Sequence, residues 1–264
     1  MSLTYLITGA SSGIGECFAQ ELAKLGHDLV LVARRLDRLE KLAQDLQNQF
    51  KIKCYCFSCD LSKRDETLAL VEKIKSQNIN IDGLINNAGF SVAREFHNTE
   101  LSAQMGFVET CVTAPTILCH AFLPQMQKRK FGRIINVSSM VAFSNGAAGH
   151  SLYPAAKSYI LKMSRSLAAE NCDLGINITA LCPGATQSEF QTHNGMNEKI
   201  GKDNVLKPMA TFDVVKSALD GNSKAKEVVI CGIANKFAVA MMKFVPEFIL
   251  NPIIRHEAKK MVIK

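Results

Sequence analysis

The sequence lacks the features that mark a membrane-spanning, a disulfide-bonded or a multidomain protein. Its most apolar stretch, residues 228–254, is interrupted by lysines, prolines and a glutamate, so no bilayer-spanning helix is predicted. Nine cysteines is an odd count without a repeated spacing, which excludes a complete disulfide framework and favours a reduced, cytoplasmic setting. Since no repeat and no linker rich in Pro, Gly or Ser is present, residues 1–264 are predicted to form one domain.

A signal peptide and a metal site are also disfavoured. An apolar strand begins almost at the first residue and leaves no room for a charged leader and an apolar signal core. Cys54, Cys56 and Cys59 lie close together, but without a second cysteine pair or nearby histidines they predict a reduced strand and no metal. The net charge of +7 favours phosphorylated cofactors, acidic substrates or anionic membrane surfaces and selects none of them.

Short apolar runs alternate with longer amphipathic ones along the chain. The strand-like runs are residues 3–8, 28–33, 52–57, 83–85, 133–137, 176–181 and 227–231. Helical segments between them include residues 14–25, 36–50, 67–77, 105–126 and 153–171. Nearly continuous apolar strands separated by helices are typical of a parallel sheet covered on both faces. Right-handed crossovers then predict a doubly wound, Rossmann-type α/β fold with seven strands.

Two stretches depart from this alternation. Residues 185–208 are polar and poorly periodic and follow a strand end, so we expect a substrate lid there. Residues 232–264 form an apolar and basic tail that is a candidate lining for an apolar substrate pocket. Ordinary core or subunit packing explains this tail at least as well, and contact with a membrane surface is a third explanation. The apolar tail residues are Phe237, Met241, Met242, Phe244, Phe248, Ile249, Leu250, Ile253 and Ile254.

A glycine-rich turn joins the first strand to the first helix. Glycine permits a tight turn and a close backbone approach, and a helix N-terminus offers free N–H groups and positive potential to a pyrophosphate. A structural turn needs glycine too, but the position between a strand and a helix favours dinucleotide binding. The candidate contacts are Gly9, Ser11, Ser12, Gly13, Ile14 and Gly15.

The end of the second strand indicates which dinucleotide is bound. NAD-binding proteins place a carboxylate there, which would repel a 2′-phosphate. Here Ala33 takes that position and Arg34 and Arg35 follow. Because a guanidinium holds phosphate through charge-assisted hydrogen bonds, the sequence predicts NADP(H), with Arg34 favoured over Arg35. The phosphate would depend mainly on these arginines, because Ser12 stands where many NADP-binding proteins have a basic residue.

Tyr153 and Lys157 are the strongest chemical signal in the chain. On a helix, residues four apart share a face, so the phenol and the ammonium point into the same space. A nearby ammonium is expected to lower the phenol pKa from its ordinary value of about 10 and to tune Tyr153 for proton transfer. A surface lysine beside a half-buried tyrosine would give the same spacing. However, an upstream strand ends at Ser138 and Ser139, which supplies a hydroxyl for the same site.

Together these motifs resemble the classical short-chain dehydrogenase/reductase family over about residues 4–230. The resemblance implies hydride transfer between NADP(H) and a carbonyl or alcohol, with Tyr153 as proton donor, Ser139 binding the substrate oxygen and Lys157 binding the nicotinamide ribose. It also implies a homodimer or homotetramer through the long fourth and fifth helices. Residues 33–39 and the apolar tail resemble bacterial reductases of the steroid and long-chain 3-ketoacyl type. Further cofactor contacts implied are Asp60, Leu61, Asn87, Ala88, Gly89, Pro183, Gly184, Thr186 and Ser188.

Cys111 departs from the family pattern. It occupies the position of an asparagine whose backbone carbonyl holds a water in the proton relay to the lysine. The backbone carbonyl survives the exchange, whereas the amide that braces the helix is lost, because a thiol is a poor hydrogen-bonding substitute. We therefore expect an active enzyme with a weaker or rerouted relay. A nucleophilic role for Cys111 is disfavoured because no activating base lies near it in sequence.

Two other functions are compatible with the same sequence. A protein that senses the dinucleotide redox state without turnover would need the glycine turn but not Tyr153, Lys157 and Ser139. An epimerase or dehydratase that retains its dinucleotide would use the same fold. In every case we expect a small-molecule partner and no nucleic acid.

Overall fold

The chain folds around a seven-stranded, fully parallel sheet. The computed structural model describes residues 2–147, 149–187 and 208–245, together with 248 and 252. The strands have the order β3-β2-β1-β4-β5-β6-β7, so the chain starts in the middle of the sheet and winds outward in both directions. They are β1 (Thr4–Thr8), β2 (Asp28–Ala33), β3 (Cys54–Ser58), β4 (Gly83–Asn86), β5 (Gly132–Val137), β6 (Ile176–Cys182) and β7 (Val228–Ile230).

Helices follow the strands and cover both faces of the sheet. A five-residue π-helical segment, Glu109–Thr113, joins α4 to α5. Short 3₁₀ helices lie at Phe96–Asn98 and Met140–Phe143. The α-helices are α1 (Gly13–Lys24), α2 (Leu36–Phe50), α3 (Arg64–Ser76), α4 (Leu101–Val108), α5 (Ala114–Arg129), α6 (Tyr153–Glu170), α7 (Thr211–Ser223) and α8 (Ile233–Phe244).

The two faces of the sheet bury two separate apolar clusters. Alternate side chains of a strand point to opposite faces, so Ile7 of β1 joins the cluster beneath α1, α2 and α7, whereas Leu6 joins the cluster beneath α3, α5 and α6. Leu6, Ile7 and the central residues of β2 are fully buried. This packing fixes the strand register, and it brings the carboxyl ends of β1 and β4 side by side at the switch point of the sheet.

The predicted fold class is confirmed, and the helix and strand bounds mostly differ by one to three residues. α2 has the predicted bounds, whereas β3 begins two residues late because Lys51 and its neighbours complete a left-handed cap after α2. The predicted helix 105–126 is part of a longer run, Leu101–Arg129, that is interrupted by the π segment. The α7 and α8 helices were not predicted as elements.

Among the residues that the structure describes, one helical run, Leu101–Arg129, is long and apolar enough to cross a membrane. Its most apolar 18-residue window has a mean hydropathy of 1.3, and half of that window is buried inside the protein, as in the core helix of a globular domain. The buried residues of α5 pack against β4 and β5 of the sheet. Within the described part of the chain, this helical run therefore lies outside residues 228–254, the most apolar stretch of the sequence.

Candidate active site

A cavity of about 660 Å³ opens along the carboxyl ends of the strands. One end lies between the glycine turn and the end of β2, and the other lies between Ser139, Tyr153 and Lys157. This is the crevice in which doubly wound sheets bind ligands, and its volume is in the range of small-molecule and cofactor sites.

The glycine turn has the backbone conformation that its sequence predicts. Gly9 and Gly13 have positive φ angles of 67° and 60°, a region that side chains with a Cβ rarely adopt. Gly15 lies directly beneath the carbonyl of Gly9, so any Cβ there would collide with the turn. The Asn87 amide donates to the Thr8 carbonyl at 2.9 Å, which ties the turn to the end of β4.

Two arginines border the cavity where β2 ends. Ala33, which takes the place of a carboxylate, lines the cavity together with exposed Arg34 and partly buried Arg35. Arg35 Nη2 donates to Ser11 Oγ at 3.1 Å and to Ser12 Oγ at 3.2 Å. The guanidinium that contacts the turn is therefore that of Arg35. The preference for Arg34 as the contact to a 2′-phosphate stays a prediction, and both arginines line this end of the cavity.

Asp60 contributes an ionised acceptor after β3. Its carboxylate accepts from Ser62 N at 3.1 Å and from Ser62 Oγ at 2.8 Å. Burial raises the pKa of Asp60, but these hydrogen bonds and the charge of Arg34 together lower it below its ordinary value. Asp60 therefore stays charged at neutral pH and offers acceptor oxygens at the wall of the cavity.

Three side chains from different elements meet at the opposite end of the cavity. Tyr153 and Lys157 occupy successive turns at the start of α6, and Ser139 follows β5. A side-chain hydrogen bond links Tyr153 to Ser139. Lys157 Nζ donates to the Val137 carbonyl at 2.9 Å and lies 5.6 Å from the centroid of the Tyr153 ring. Ser138 donates to the Lys157 carbonyl at 2.7 Å and so holds the helix against the strand end.

Burial controls the titration of this site. Desolvation raises the pKa of Tyr153, with only partial compensation from its hydrogen bond to Ser139, and it lowers the pKa of Lys157. The sequence predicted the opposite direction for Tyr153. The prediction fails because it counted the ammonium and not the loss of water around the phenol. Tyr153 therefore remains a protonated donor at neutral pH.

Cys111 lies inside the π segment and packs beside Tyr153 and Lys157. Its side chain is buried, and its sulfur approaches the Phe90 carbonyl at 3.9 Å. Gly89 lies against both the Cys111 sulfur and Lys157 Nζ. Burial raises the pKa of the Cys111 thiol, although the charge of Lys157 lowers it in part, so the thiol is protonated and not nucleophilic. The π-helical segment therefore forms although Cys111 replaces the asparagine that the family usually has at this position.

The residues present fit a phosphorylated dinucleotide. The turn at the start of α1 offers hydroxyls and backbone N–H groups, two guanidiniums lie beside it, and the site has one charged acceptor, Asp60. No carboxylate at the end of β2 opposes a 2′-phosphate. Within the described residues, no group of three or more His, Cys, Asp or Glu side chains is arranged to hold a metal.

Most of the predicted site residues line one cavity. Gly15 and Cys111 do not line it: Gly15 packs beneath the turn and Cys111 packs behind Lys157. Ser188 lies outside the described residues, as do most of the predicted lid 185–208 and tail residues Ile249, Leu250, Ile253 and Ile254. The predicted residues that line the cavity are Gly9, Ser11, Ser12, Gly13, Ile14, Arg34, Arg35, Asp60, Leu61, Asn87, Ala88, Gly89, Ser139, Tyr153, Lys157, Pro183, Gly184 and Thr186.

One wall of the cavity was missed from the sequence. Ser102, Ala103, Gly106 and Thr110 line it from α4 and the start of the π segment. These four residues are small and recur on one helix face, which is the signal that could have identified them.

A second polar pair also escaped the sequence analysis. Ser91 Oγ and His150 Nδ1 are 2.8 Å apart and join the loop after β4 to the loop before Tyr153. Burial lowers the pKa of His150, so the imidazole of this pair is neutral at neutral pH.

Comparisons with known proteins place this geometry in a family. The family model described as short chain dehydrogenase matches residues 4–199. The NADP-dependent 3-hydroxy acid dehydrogenase of Schizosaccharomyces pombe is 30% identical over 86% of this chain and 89% of the relative. A short-chain dehydrogenase from Sphingobium yanoikuyae, solved with NADPH, superposes with a TM-score of 0.81 at 30% identity and covers 92% of this chain and 96% of its own.

A third similar protein is named for the ketones on which it acts. The bulky-bulky ketone specific alcohol dehydrogenase of Comamonas testosteroni has a TM-score of 0.76 at 29% identity and covers 93% of this chain and 95% of its own. The chain belongs to the short-chain dehydrogenase family and is an oxidoreductase. The family membership and the single Rossmann-type domain predicted from the sequence are both confirmed.

Proposed function

We propose that this chain reduces the carbonyl group of a small or lipophilic substrate, or oxidises the matching alcohol. The observation that carries the proposal is the meeting of Ser139, Tyr153 and Lys157 at one end of a cavity whose other end is bordered by Arg34 and Arg35. A proton donor and a phosphate-binding end, joined by one crevice, are what a nicotinamide-dependent reductase needs.

The cofactor is NADP(H). The fission-yeast relative is named as NADP-dependent and the Sphingobium relative was solved with NADPH, in agreement with the arginines after Ala33. The dinucleotide supplies the hydride. Gly9, Ser11 and Ser12 would hold its pyrophosphate and the guanidiniums its 2′-phosphate. Lys157 uses one N–H on the Val137 carbonyl and keeps donors for the nicotinamide ribose.

The chain's own residues supply the proton and orient the carbonyl. Tyr153 gives its proton to the carbonyl oxygen, and Ser139 Oγ, held at 3.3 Å by Val141 N, hydrogen-bonds the same oxygen. Because burial raises the pKa of Tyr153, the phenol is protonated at neutral pH, which is the form that reduction of the carbonyl requires. Cys111 has no chemical step in this scheme.

The residues around the reactive end favour an apolar substrate. Phe90, Met140 and Val141 line the cavity near Ser139 and Tyr153. The Comamonas relative is described as specific for bulky ketones, and the fission-yeast relative acts on 3-hydroxy acids by its name. A ketone with an extended apolar group is the substrate class that these walls accommodate. We further propose a cytoplasmic homodimer or homotetramer, since oligomers are common in this family.

The Tyr153→Phe variant tests the proposal. It removes the proton donor and leaves the ring, so we expect kcat with NADPH to fall by about a hundredfold or more, as is typical for loss of a general acid. NADPH oxidation is measured against a panel of ketones and 3-oxoacyl compounds, and NADPH binding is measured by fluorescence titration of wild type and variant.

The binding measurement is the control for folding. The matched variant Tyr159→Phe removes a phenol on the same helix, one that contacts Thr116 outside the cavity, and should leave turnover unchanged. If wild type and Tyr153→Phe are equally inactive across the panel while both bind NADPH, the reductase proposal is wrong and a dinucleotide sensor is favoured.

A further inference from the structure

The α8 helix carries an exposed apolar face. Ile233, Phe237, Met241 and Phe244 are 86%, 69%, 44% and 84% exposed, and their spacing places them on one side of the helix. Phe248, beyond the helix, is 76% exposed. Single exposed apolar residues are ordinary, but a continuous stripe of large ones marks an interaction surface. We call the first four residues the α8 stripe.

The opposite face of α8 is anchored at the reactive end of the cavity. Val239 and Asn235 are buried, and Asn235 donates to the Cys231 carbonyl at 2.7 Å. The Asn235 side chain lies against Gly184, and the helix packs on the 3₁₀ segment Met140–Phe143 that follows Ser139. The α8 helix is therefore held beside the segment that follows Ser139, with the α8 stripe on its outer face.

The sequence of α8 and of the residues that follow it is basic. Exposed Lys236 lies one residue before Phe237, and residues 233–244 contain no acidic side chain. Residues 232–264 hold only two acidic residues, Glu247 and Glu257. Their basic residues are Lys236, Lys243, Arg255, Lys259, Lys260 and Lys264. An apolar helix face with a basic flank is the pattern that lies in the headgroup region of anionic bilayers.

We propose that the α8 stripe docks on an anionic membrane surface. A second copy of this chain fits less well, because a two-fold contact along α8 would bring lysines together without a carboxylate on the helix to pair them. Docking by this face would bring α8, and the segment Met140–Phe143 on which it packs, close to the bilayer. Delivery of a lipophilic ketone from the bilayer then follows, and this second step rests on the proposed function.

Vesicle flotation tests the docking without any substrate. The full chain should float with phosphatidylcholine vesicles that contain phosphatidylglycerol and not with phosphatidylcholine alone, and high salt should release it. The double variant Phe237→Ser/Phe244→Ser should lower the partition coefficient by about tenfold or more, because two aromatic anchors are lost. Lys236→Glu should also weaken binding and leaves the apolar stripe unchanged.

The matched control removes exposed apolar residues elsewhere. Leu25, which caps the C-terminus of α1, and Leu68, on α3, are 64% and 46% exposed and do not belong to α8, so Leu25→Ser/Leu68→Ser should bind vesicles as wild type does. NADPH titration and the melting temperature check that every variant is folded. Absence of wild-type flotation, equal flotation with neutral vesicles, or a change of oligomeric state in Phe237→Ser/Phe244→Ser without vesicle binding would each overturn the docking proposal. None of these results depends on turnover.

Discussion

At the scale of single residues, the two arginines after Ala33 are the side chains that we expect to distinguish NADP(H) from NAD(H). Arg35 is held against the glycine turn by Ser11 and Ser12, whereas Arg34 is exposed and close enough to lower the pKa of Asp60. A phosphate between them would interact with two positively charged guanidiniums. An arginine held in place loses less conformational freedom on binding, so both positions are expected to contribute.

The Arg34→Ala and Arg35→Ala variants test this assignment. Each removes charge-assisted hydrogen bonds to the 2′-phosphate, which are typically worth about 1.5–3 kcal/mol, so Kd for NADPH should rise about ten- to hundredfold. Kd for NADH, measured by the same titration, should change much less. Arg38→Ala, one turn further along α2 and outside the cavity lining, is the control. Equal losses for both dinucleotides would contradict a phosphate-specific role.

At the scale of elements, the π segment positions a wall of the site. Glu109–Thr113 follows the face of α4 that lines the cavity and carries Cys111 behind Lys157. Arg64 of α3 pairs with Glu109 at 2.7 Å, at the start of the segment. The Arg64–Glu109 ion pair therefore stabilises the π segment in a chain where Cys111 replaces the asparagine. We infer that the Cys111 thiol is not required for the π-helical conformation.

The Cys111→Ala variant tests whether the thiol has a chemical role. Because burial keeps the thiol protonated and its only polar contact in the described residues is a long one to Phe90, kcat should stay within about threefold of wild type, less than 1 kcal/mol in barrier. The unfolding free energy should fall by about 1 kcal/mol, as for a small loss of core packing. Cys119→Ala, buried away from the cavity, is the matched control. Loss of turnover with NADPH binding intact would make Cys111 catalytic.

At the scale of the whole molecule, the spacing of apolar residues predicted the strands and helices whose sequence pattern reflects which side chains are buried. Parallel strands covered on both faces are apolar throughout, so the seven strands and the helix α2 are visible in the sequence. Helix α8 was not predicted, because residues 232–264 were interpreted as one apolar and basic tail and no element was assigned within it. The motifs also named most of the cavity lining, since backbone turns and strand ends position those residues.

What failed in the sequence analysis depended on contacts between distant residues. The direction of the Tyr153 pKa shift depends on how completely the folded chain removes water from the phenol. The hydrogen bonds from Arg35 to Ser11 and Ser12, which were not predicted, depend on side-chain direction at the first residues after β2. The α4 wall depends on how a helix after a long loop packs over the strand ends.

The central claim is that one cavity holds a nicotinamide dinucleotide between the arginines and the catalytic hydroxyls. A crystal structure with bound NADPH tests it most directly. We predict the 2′-phosphate within hydrogen-bonding distance of Arg34 or Arg35, and the reactive ring beside Tyr153, with Lys157 on its ribose. A structure with the dinucleotide bound elsewhere, or with its nicotinamide remote from Tyr153 and Ser139, would contradict the account.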